Sequence, residues 1–430
     1  MAITGRTALL TLAGAVPVAL APGWAMLLGW VAVVIALVAI DVALAGRLST
    51  LTVAREPLRS VRLGEPTTAA VLVTNTGTRA VRGVVRDAWQ PSAGAHPPRQ
   101  RLVVPAGERR RVVTQLRPVR RGDRLATGLT VRSLGPLGLA ARQRTLAAPG
   151  RLRVLPPFTS RKHLPSKLAR LRELDGRTSL QVRGQGTEFD SLRDYVIGDD
   201  VRAIDWRATA RRQQVVVRTW RPERDRRVLI VLDTSRTSAA RIGDEPRLDA
   251  SMDAALLLAA LAARAGDRVD LLAVDRRVRA RVEGASRTEL LPAMVEAMAP
   301  LEADLVEADW TTIVATVRAR LSQRALVVLL TSLDSAALDQ GLLPVLAQLT
   351  SHHLVVVASV SDPALAAMAA ARDDAHAVYG AAAATRTLLD RDGLATELRR
   401  FGVEVVTGTP DHLPPRLADR YLSLKATGRL

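Results

Sequence analysis

Two adjacent apolar segments at the start of the chain constrain it most. Residues 7–22 (TALLTLAGAVPVALAP) and 24–45 (WAMLLGWVAVVIALVAIDVALA) hold a single charge between them, Asp41. Crossing ~30 Å of hydrocarbon takes about 20 mostly apolar residues, and residues 24–40 are apolar throughout. The first segment is shorter and carries Pro17, with only Gly23 between the two. This pattern predicts a transmembrane hairpin turning at Ala21-Pro22-Gly23-Trp24, with Trp24 near an interface. A signal peptide cleaved near Val18-Ala19-Leu20-Ala21 competes, but its n-region offers only Arg6 and a second span follows at once. A pair of buried core helices competes as well. Arg6 precedes the hairpin and Arg47, Arg55, Arg59 and Arg62 follow it, so both ends are expected inside a cell membrane in a multi-pass arrangement. Asp41 falls about one turn from the inner end, where a carboxylate is expected to meet headgroup water.

Charge placement points the same way. Residues 1–160 hold 22 arginines, no lysine and 6 carboxylates, whereas the remaining 270 hold 39 basic and 36 acidic groups. An excess so confined implies a polyanion, either an anionic membrane face or nucleic acid. Aromatic residues make up only 3% of the chain, which leaves few stacking platforms and argues against nucleic acid. Cysteine is absent, which excludes disulfide scaffolds, thiol nucleophiles and Cys-ligated metals.

Over residues 48–157 short alternating runs are punctuated by turn chemistry such as Asn75-Thr76-Gly77-Thr78 and Pro105-Ala106-Gly107-Glu108. They predict a small antiparallel β-sandwich-like domain, its arginines (109–111, 117, 120, 121, 124) on a solvated face or against anionic lipid. Residues 158–226 are expected to be a linker carrying a dense signature at 184–212, GQGTEFDSLRDYVIGDDVRAIDWRATARR. There Glu188, Asp190, Asp194, Asp199, Asp200 and Asp205 alternate with Arg193, Arg202, Arg207, Arg211 and Arg212 around Phe189, Tyr195 and Trp206, with a turn at Gly198. Such alternation favours structural ion pairs or an interface over catalysis.

From 227 to 430 the pattern alternates. Strands are expected at 227–233, 267–275, 277–283, 325–331, 354–360 and 403–407, and helices at 248–265, 287–300, 310–322, 339–349, 381–400 and 414–425. This is an α/β domain, a doubly wound and mostly parallel sheet with ligands at the carboxyl ends of its strands. Its first strand ends in Asp233-Thr234-Ser235-Arg236-Thr237. One carboxylate and two hydroxyls at i, i+2 and i+4 can aim three oxygens at a hard cation, although Ser and Thr also favour helix caps.

The order of these parts, the run Arg132-Ser-Leu-Gly-Pro-Leu-Gly-Leu139 and the signature G-x-EF-x-x-LR-x-Y-x-x-GDD-x-R-x-IDW-x-x-TAR over 186–211 resemble a bacterial membrane-associated family. It is the one catalogued as domain of unknown function 58. The resemblance implies a von Willebrand factor A-like C-terminal domain, association with MoxR-type AAA+ ATPases, and an adaptor role without an assigned reaction. It places Asp233, Ser235 and Thr237 in the metal-ion-dependent adhesion motif, the distant threonine at Thr311 or Thr312, and the late aspartate near Ser332 or Asp334. A Mg²⁺ site short of one carboxylate is weakened, and a metal-free turn is its alternative.

No P-loop, G-x-S-x-G or H-E-x-x-H motif occurs, and the six histidines (96, 163, 352, 353, 376, 412) form no ligand spacing. The chain is thus expected to be a membrane-anchored, cytoplasmic adaptor rather than an enzyme. A partner carboxylate would complete the site at Asp233, or the stretch around Asp199–Trp206 would make the contact directly. Two alternatives stand beside it: a metal-assisted hydrolase joining Asp233 to Asp199, Asp200 or Asp205, and a binder of anionic lipid or nucleic-acid surfaces.

Overall fold

The computed structural model describes residues 2–181, 188–221, 226–333, 338 and 341–430. It forms a mixed α/β chain of two units, Met1–Leu155 and Pro156–Leu430.

The first unit opens with a short strand, β1 (Ala2–Ile3), and three helices, α1 (Gly5–Ala13), α2 (Ala15–Leu20) and α3 (Trp24–Leu44). The 21 residues of α3 rise about 32 Å at 1.5 Å each, enough to cross a bilayer core of ~30 Å. Among the described residues α3 alone is long and apolar enough to cross a membrane, while Gly5–Leu20 is shorter. The expectation of two full spans is corrected accordingly to one span-length helix beside a shorter, interrupted one.

Asp41 departs further from expectation. Instead of reaching headgroup water it is fully buried, and three backbone N–H groups donate to it: Leu137 at 2.7 Å, Leu139 at 2.7 Å and Ala140 at 2.9 Å. The turn that presents them approaches so closely that a Cβ on Gly135 would lie 2.2 Å from Asp41 Oδ1. Guanidinium groups also cover the carbonyls at the end of α3, from Arg142 to Val42 at 3.0 Å and from Arg79 to Ala43 at 3.1 Å. Cations there complement the negative end of the helix dipole.

The strands that follow are β2 (Leu51–Arg55), β3 (Val61–Arg62), β4 (Thr67–Asn75), β5 (Val81–Trp89), β6 (Ala95–His96), β7 (Gln100–Val104), β8 (Arg109–Leu116), β9 (Gly122–Leu134) and β10 (Ala140–Leu155). They form two sheets, β1-β10-β9-β5-β7 with β3 added parallel to β10, and β2-β4-β8-β6. Val71 and Val73 from one sheet meet Val85, Leu129 and Val131 from the other in a common core. The arginines at 109–111, 117 and 120 are exposed, but Arg121 is buried and Arg124 donates to Ser92 Oγ and the Arg121 carbonyl.

The second unit begins with α4 (Leu164–Gln181), so the stretch expected to be a linker carries a helix. The lobe strands β11 (Glu188–Asp194) and β12 (Val216–Arg221) pair antiparallel around α5 (Trp206–Arg212). Next come β13 (Arg227–Asp233), the two-residue strands β14 (Arg241–Ile242) and β15 (Glu245–Pro246), α6 (Arg247–Arg264), β16 (Arg268–Val274), β17 (Val278–Val282), α7 (Leu290–Met298) and α8 (Trp310–Arg320). The chain ends with β18 (Leu326–Leu330), α9 (Leu343–Thr350), β19 (Leu354–Val360), α10 (Pro363–Ala370), α11 (Ala375–Arg400), β20 (Glu404–Gly408) and α12 (Leu413–Ala426). The large sheet runs β17-β16-β13-β18-β19-β20, parallel except at the β17 edge. One face carries Leu229, Val231, Val327, Leu329, Val355 and Val357 against residues of α8, α9 and α11. On β13 every residue after Arg227 is buried, which explains its unbroken apolar text.

Helix α6 is buried along nearly its whole length. Its Asp253 accepts hydrogen bonds from Thr159 Oγ1 at 2.7 Å and Ser160 Oγ at 2.8 Å, tying down the residues just before α4. Burial pushes this carboxyl above the usual carboxylate range, although those donors act in the opposite direction.

Candidate functional site

At the carboxyl end of β13 the Asp233 side chain organises the following turn. Its Oδ1 accepts the Ser235 N–H at 2.8 Å, and its Oδ2 accepts Thr331 Oγ1 at 2.6 Å and Thr237 Oγ1 at 3.1 Å. The backbone carbonyl of Asp233 accepts Ser238 Oγ at 2.7 Å, and Ser235 Oγ lies 3.3 Å from Thr237 Oγ1. A recess of about 10 Å³, room for one water-sized sphere, is lined by Asp233, Ser235, Thr237, Glu307, Trp310 and Thr331 among others.

Asp233, Ser235 and Thr237 are thus brought together, but the other expected ligands are not. Thr312 donates its N–H and hydroxyl to Asp309 as the cap of α8, and Thr311 is exposed outside the recess. Asp334 lies outside the described residues. Ser332 instead accepts from Arg247 Nη1 at 2.9 Å, and the same nitrogen donates to the Thr237 carbonyl at 2.8 Å. Thr331, which the sequence reasoning passed over, closes the site: it follows β18 as Asp233 ends β13, and a hydroxyl replaces the expected carboxylate. The turn itself supplies one negative charge, whose two oxygens already accept three hydrogen bonds, with a buried guanidinium alongside, and Glu307, the other acid on the recess wall, is paired with Arg236. No cluster of three or more His, Asp or Glu suited to a metal occurs among the described residues. That chemistry fits a hydrogen-bonded turn better than a Mg²⁺ cage, because hard divalent ions draw affinity from carboxylate number.

The signature forms a separate small lobe. Gly198 has φ +109°, a backbone conformation that other residues rarely adopt, and this lets the GDD turn close. Asp199 pairs with Arg193 at 2.5 Å and accepts the Val196 N–H at 2.9 Å. Asp200 accepts the Arg202 N–H at 2.9 Å. Asp205 caps α5 by accepting the Arg207 and Ala208 N–H groups, both at 3.0 Å, while its second oxygen takes Arg218 Nε at 2.8 Å. The Arg193 guanidinium first, then the Val196 amide, hold Asp199 below the usual carboxylate range; the Ala208 amide first, then Arg218, do the same for Asp205. These acids are structural caps. None of Asp199, Asp200 and Asp205 lines the recess beside Asp233, which is the convergence a shared hydrolytic site requires.

With Asp199 and Asp205 engaged by arginines and backbone N–H groups, the lobe presents exposed apolar and cationic groups beside them. Ile197 is 96% exposed and Trp206 68%, and Val196 and Val201 are exposed beside them. Arg202 and Arg211 are exposed and pair with no carboxylate among the described side chains, and Tyr195 is half-buried. Of Glu188 and Phe189 only the backbone is described; they lie opposite Arg221 and Trp220 in the β11–β12 register.

An apolar helix, antiparallel sheets and a mostly parallel sheet define a mixed α/β protein with a membrane-length helix. Residues 191–392, which take in both the lobe and the Asp233 turn, match the model of the family described as Protein of unknown function DUF58. No curated protein matches the chain. Among solved structures, the CARDB domain of PF1109 from Pyrococcus furiosus is similar at 16% identity over 24% of this chain and 94% of that one, with a TM-score of 0.19. The ASH/PapD-like domain of human CEP192 is similar at 13% identity over 24% and 84%, with a TM-score of 0.18. Likeness at these scores carries no functional argument.

Proposed function

We propose that the chain is a membrane-anchored scaffold that recruits a protein partner, a MoxR-type AAA+ ATPase, through the exposed edge of the signature lobe. The observation that carries this is the solvent-facing set Val196, Ile197, Val201 and Trp206, held beside three acids, Asp199, Asp200 and Asp205, that bond the lobe's own backbone N–H groups. Exposed large apolar side chains accompanied by arginines are characteristic of a protein-interaction site. The α/β unit is a von Willebrand A-like domain in this proposal, supported by the sheet order β17-β16-β13-β18-β19-β20 and the Asp-x-Ser-x-Thr turn after its first strand. The helices enter and leave the bilayer on one side: Thr4 before α1 and Asp41 near the end of α3 both bond the 137–140 segment. In this proposal that side is the cytoplasmic one, a reading that the flanking arginines favour.

The test is a pull-down of the full chain in mild detergent, with Ile197→Ser/Trp206→Ala alongside the parent. The parent is expected to recover the ATPase. The double variant is expected to lose it at an unchanged melting midpoint, since exposed substitutions shift stability by only about 0.5 kcal/mol. Failure of the parent to retain an ATPase refutes the partner, and retention by the variant refutes the patch.

A further inference from the structure

Within the first unit a groove of about 640 Å³ opens where α3 ends, lined by Arg6, Arg79, Arg82 and Arg101 and by apolar side chains that include Leu44 and Val103. Leu44 is the last residue of α3, so the groove begins where the apolar helix stops. In the β5–β7 pair Arg82 stands opposite Val103 and Arg101 opposite Val84, so guanidinium and isopropyl groups alternate across one sheet face. Among the described residues no aspartate or glutamate lines the groove. Arg6 and Arg79 each give a nitrogen to a backbone carbonyl, Leu137 and Ala43 respectively, whereas Arg82 and Arg101 are exposed and pair with no carboxylate among the described residues.

Cations gathered without a counter-charge repel one another until an anion arrives. A guanidinium fork matches the oxygens of a phosphate. The apolar part of the lining adds a preference that a free anion cannot satisfy. We infer that this groove holds an anionic phospholipid, its headgroup phosphate gripped by Arg82 and Arg101 and its glycerol–acyl junction lying against Leu44 and Val103. The inference rests on the anchorage proposed above, since the bilayer surface must meet the end of α3 for the lipid to be supplied there.

The test is native mass spectrometry of the full chain in neutral detergent, titrated separately with phosphatidylglycerol, phosphatidylcholine and inorganic phosphate, for the parent and for Arg82→Gln/Arg101→Gln. The expected result is one tightly retained phosphatidylglycerol on the parent. Loss of two cations near a membrane surface should weaken it about 30-fold in the variant. Equal retention of phosphatidylcholine by the parent, or undiminished phosphatidylglycerol in the variant, overturns the inference. Displacement by millimolar phosphate makes the groove a free-anion site and overturns it too. Alkaline carbonate extraction of native membranes tests the anchor separately, because release of the chain refutes the anchorage while the lipid titration still decides the groove.

Discussion

The carboxylate of Asp41 accepts the backbone N–H of Leu139 at 2.7 Å, joining the apolar helix to the Gly-Pro-Leu-Gly turn of the sandwich. With Leu137 and Ala140 donating as well, the one acid in this helix becomes a three-point joint that sets the rotation of α3 against its own domain. Hydropathy would favour a leucine at position 41, whereas the hydrogen bonding forbids it. Asp41→Leu should leave two buried donors and one part-buried donor unpaired and cost about 3–5 kcal/mol. Gly135→Ala should approach the same loss, because its Cβ would overlap the carboxylate at 2.2 Å. Thermal or denaturant unfolding in detergent measures both, and a loss below about 1 kcal/mol for Asp41→Leu would refute the joint.

The Asp233 turn makes a prediction about metal. With hydroxyls of Thr237 and Thr331 on one carboxylate oxygen, and with the other recess acid, Glu307, paired to Arg236, the parent should melt at the same temperature in millimolar Mg²⁺ and in chelator. Thr331→Asp supplies the missing charge at the strand end. Its stability should then rise with Mg²⁺, by about 2.7 kcal/mol at a hundredfold excess over the dissociation constant, and its melting midpoint with it. A Mg²⁺-dependent midpoint in the parent would show that the single carboxylate suffices.

Much of this arrangement was legible in the residues. Strand β13 and its terminal Asp233 follow from an apolar run that two packed faces require, and α3 follows from its length. Helix α10 was missed although Asp362 caps it and Pro363 starts it, because its eight residues have no clear apolar stripe. Helix α11 was expected to start at 381 but begins at Ala375, where Asp374 accepts the Ala377 N–H at 2.7 Å. Asp41 was misjudged because its partners are backbone N–H groups about a hundred residues away, and no local pattern reports them. Thr331 was passed over because a hydroxyl after a strand is too common to single out until Asp233 is seen beside it. For the signature, the dense mixture of charges announced ion pairs, but only the fold shows which acids are caps and which arginines face solvent.

Acid should loosen the lobe. Asp199 and Asp205 are held below the ordinary carboxylate range, so their contribution is complete above the unfolded aspartate value of about 3.9. It is lost as pH falls through the lower folded values. Amide exchange at Val196, Arg207 and Ala208 should be protected at pH 5 relative to an unfolded reference, and that protection should collapse only at pH values below the ordinary aspartate value of about 3.9. In Asp205→Ala the protection of Arg207 and Ala208 should be lost at all pH values. Collapse near neutral pH would mean that some other titrating group controls the lobe.

Beneath the groove face, Arg55 and Asp87 form a buried pair at 2.6 Å, their side chains only 6% and 2% exposed. Trp89 Nε1 donates to the same carboxylate at 2.7 Å, Arg55 Nε reaches the Ala148 carbonyl at 3.0 Å, and the guanidinium lies 5.0 Å from the Trp89 ring. The pair links β2 to β5, strands that belong to different sheets. Removing one partner leaves an uncompensated charge in the interior, so Arg55→Met should cost about 3–5 kcal/mol. Replacing both, as Arg55→Met/Asp87→Leu, removes the charge as well as the attraction and should recover most of that loss. The shortfall that persists would be the cost of leaving Trp89 Nε1 and the Ala148 carbonyl without partners, about 1–3 kcal/mol each at most. A double variant no more stable than Arg55→Met alone would show that the two sheets are held here by hydrogen bonding to Trp89 and Ala148 rather than by charge neutralisation.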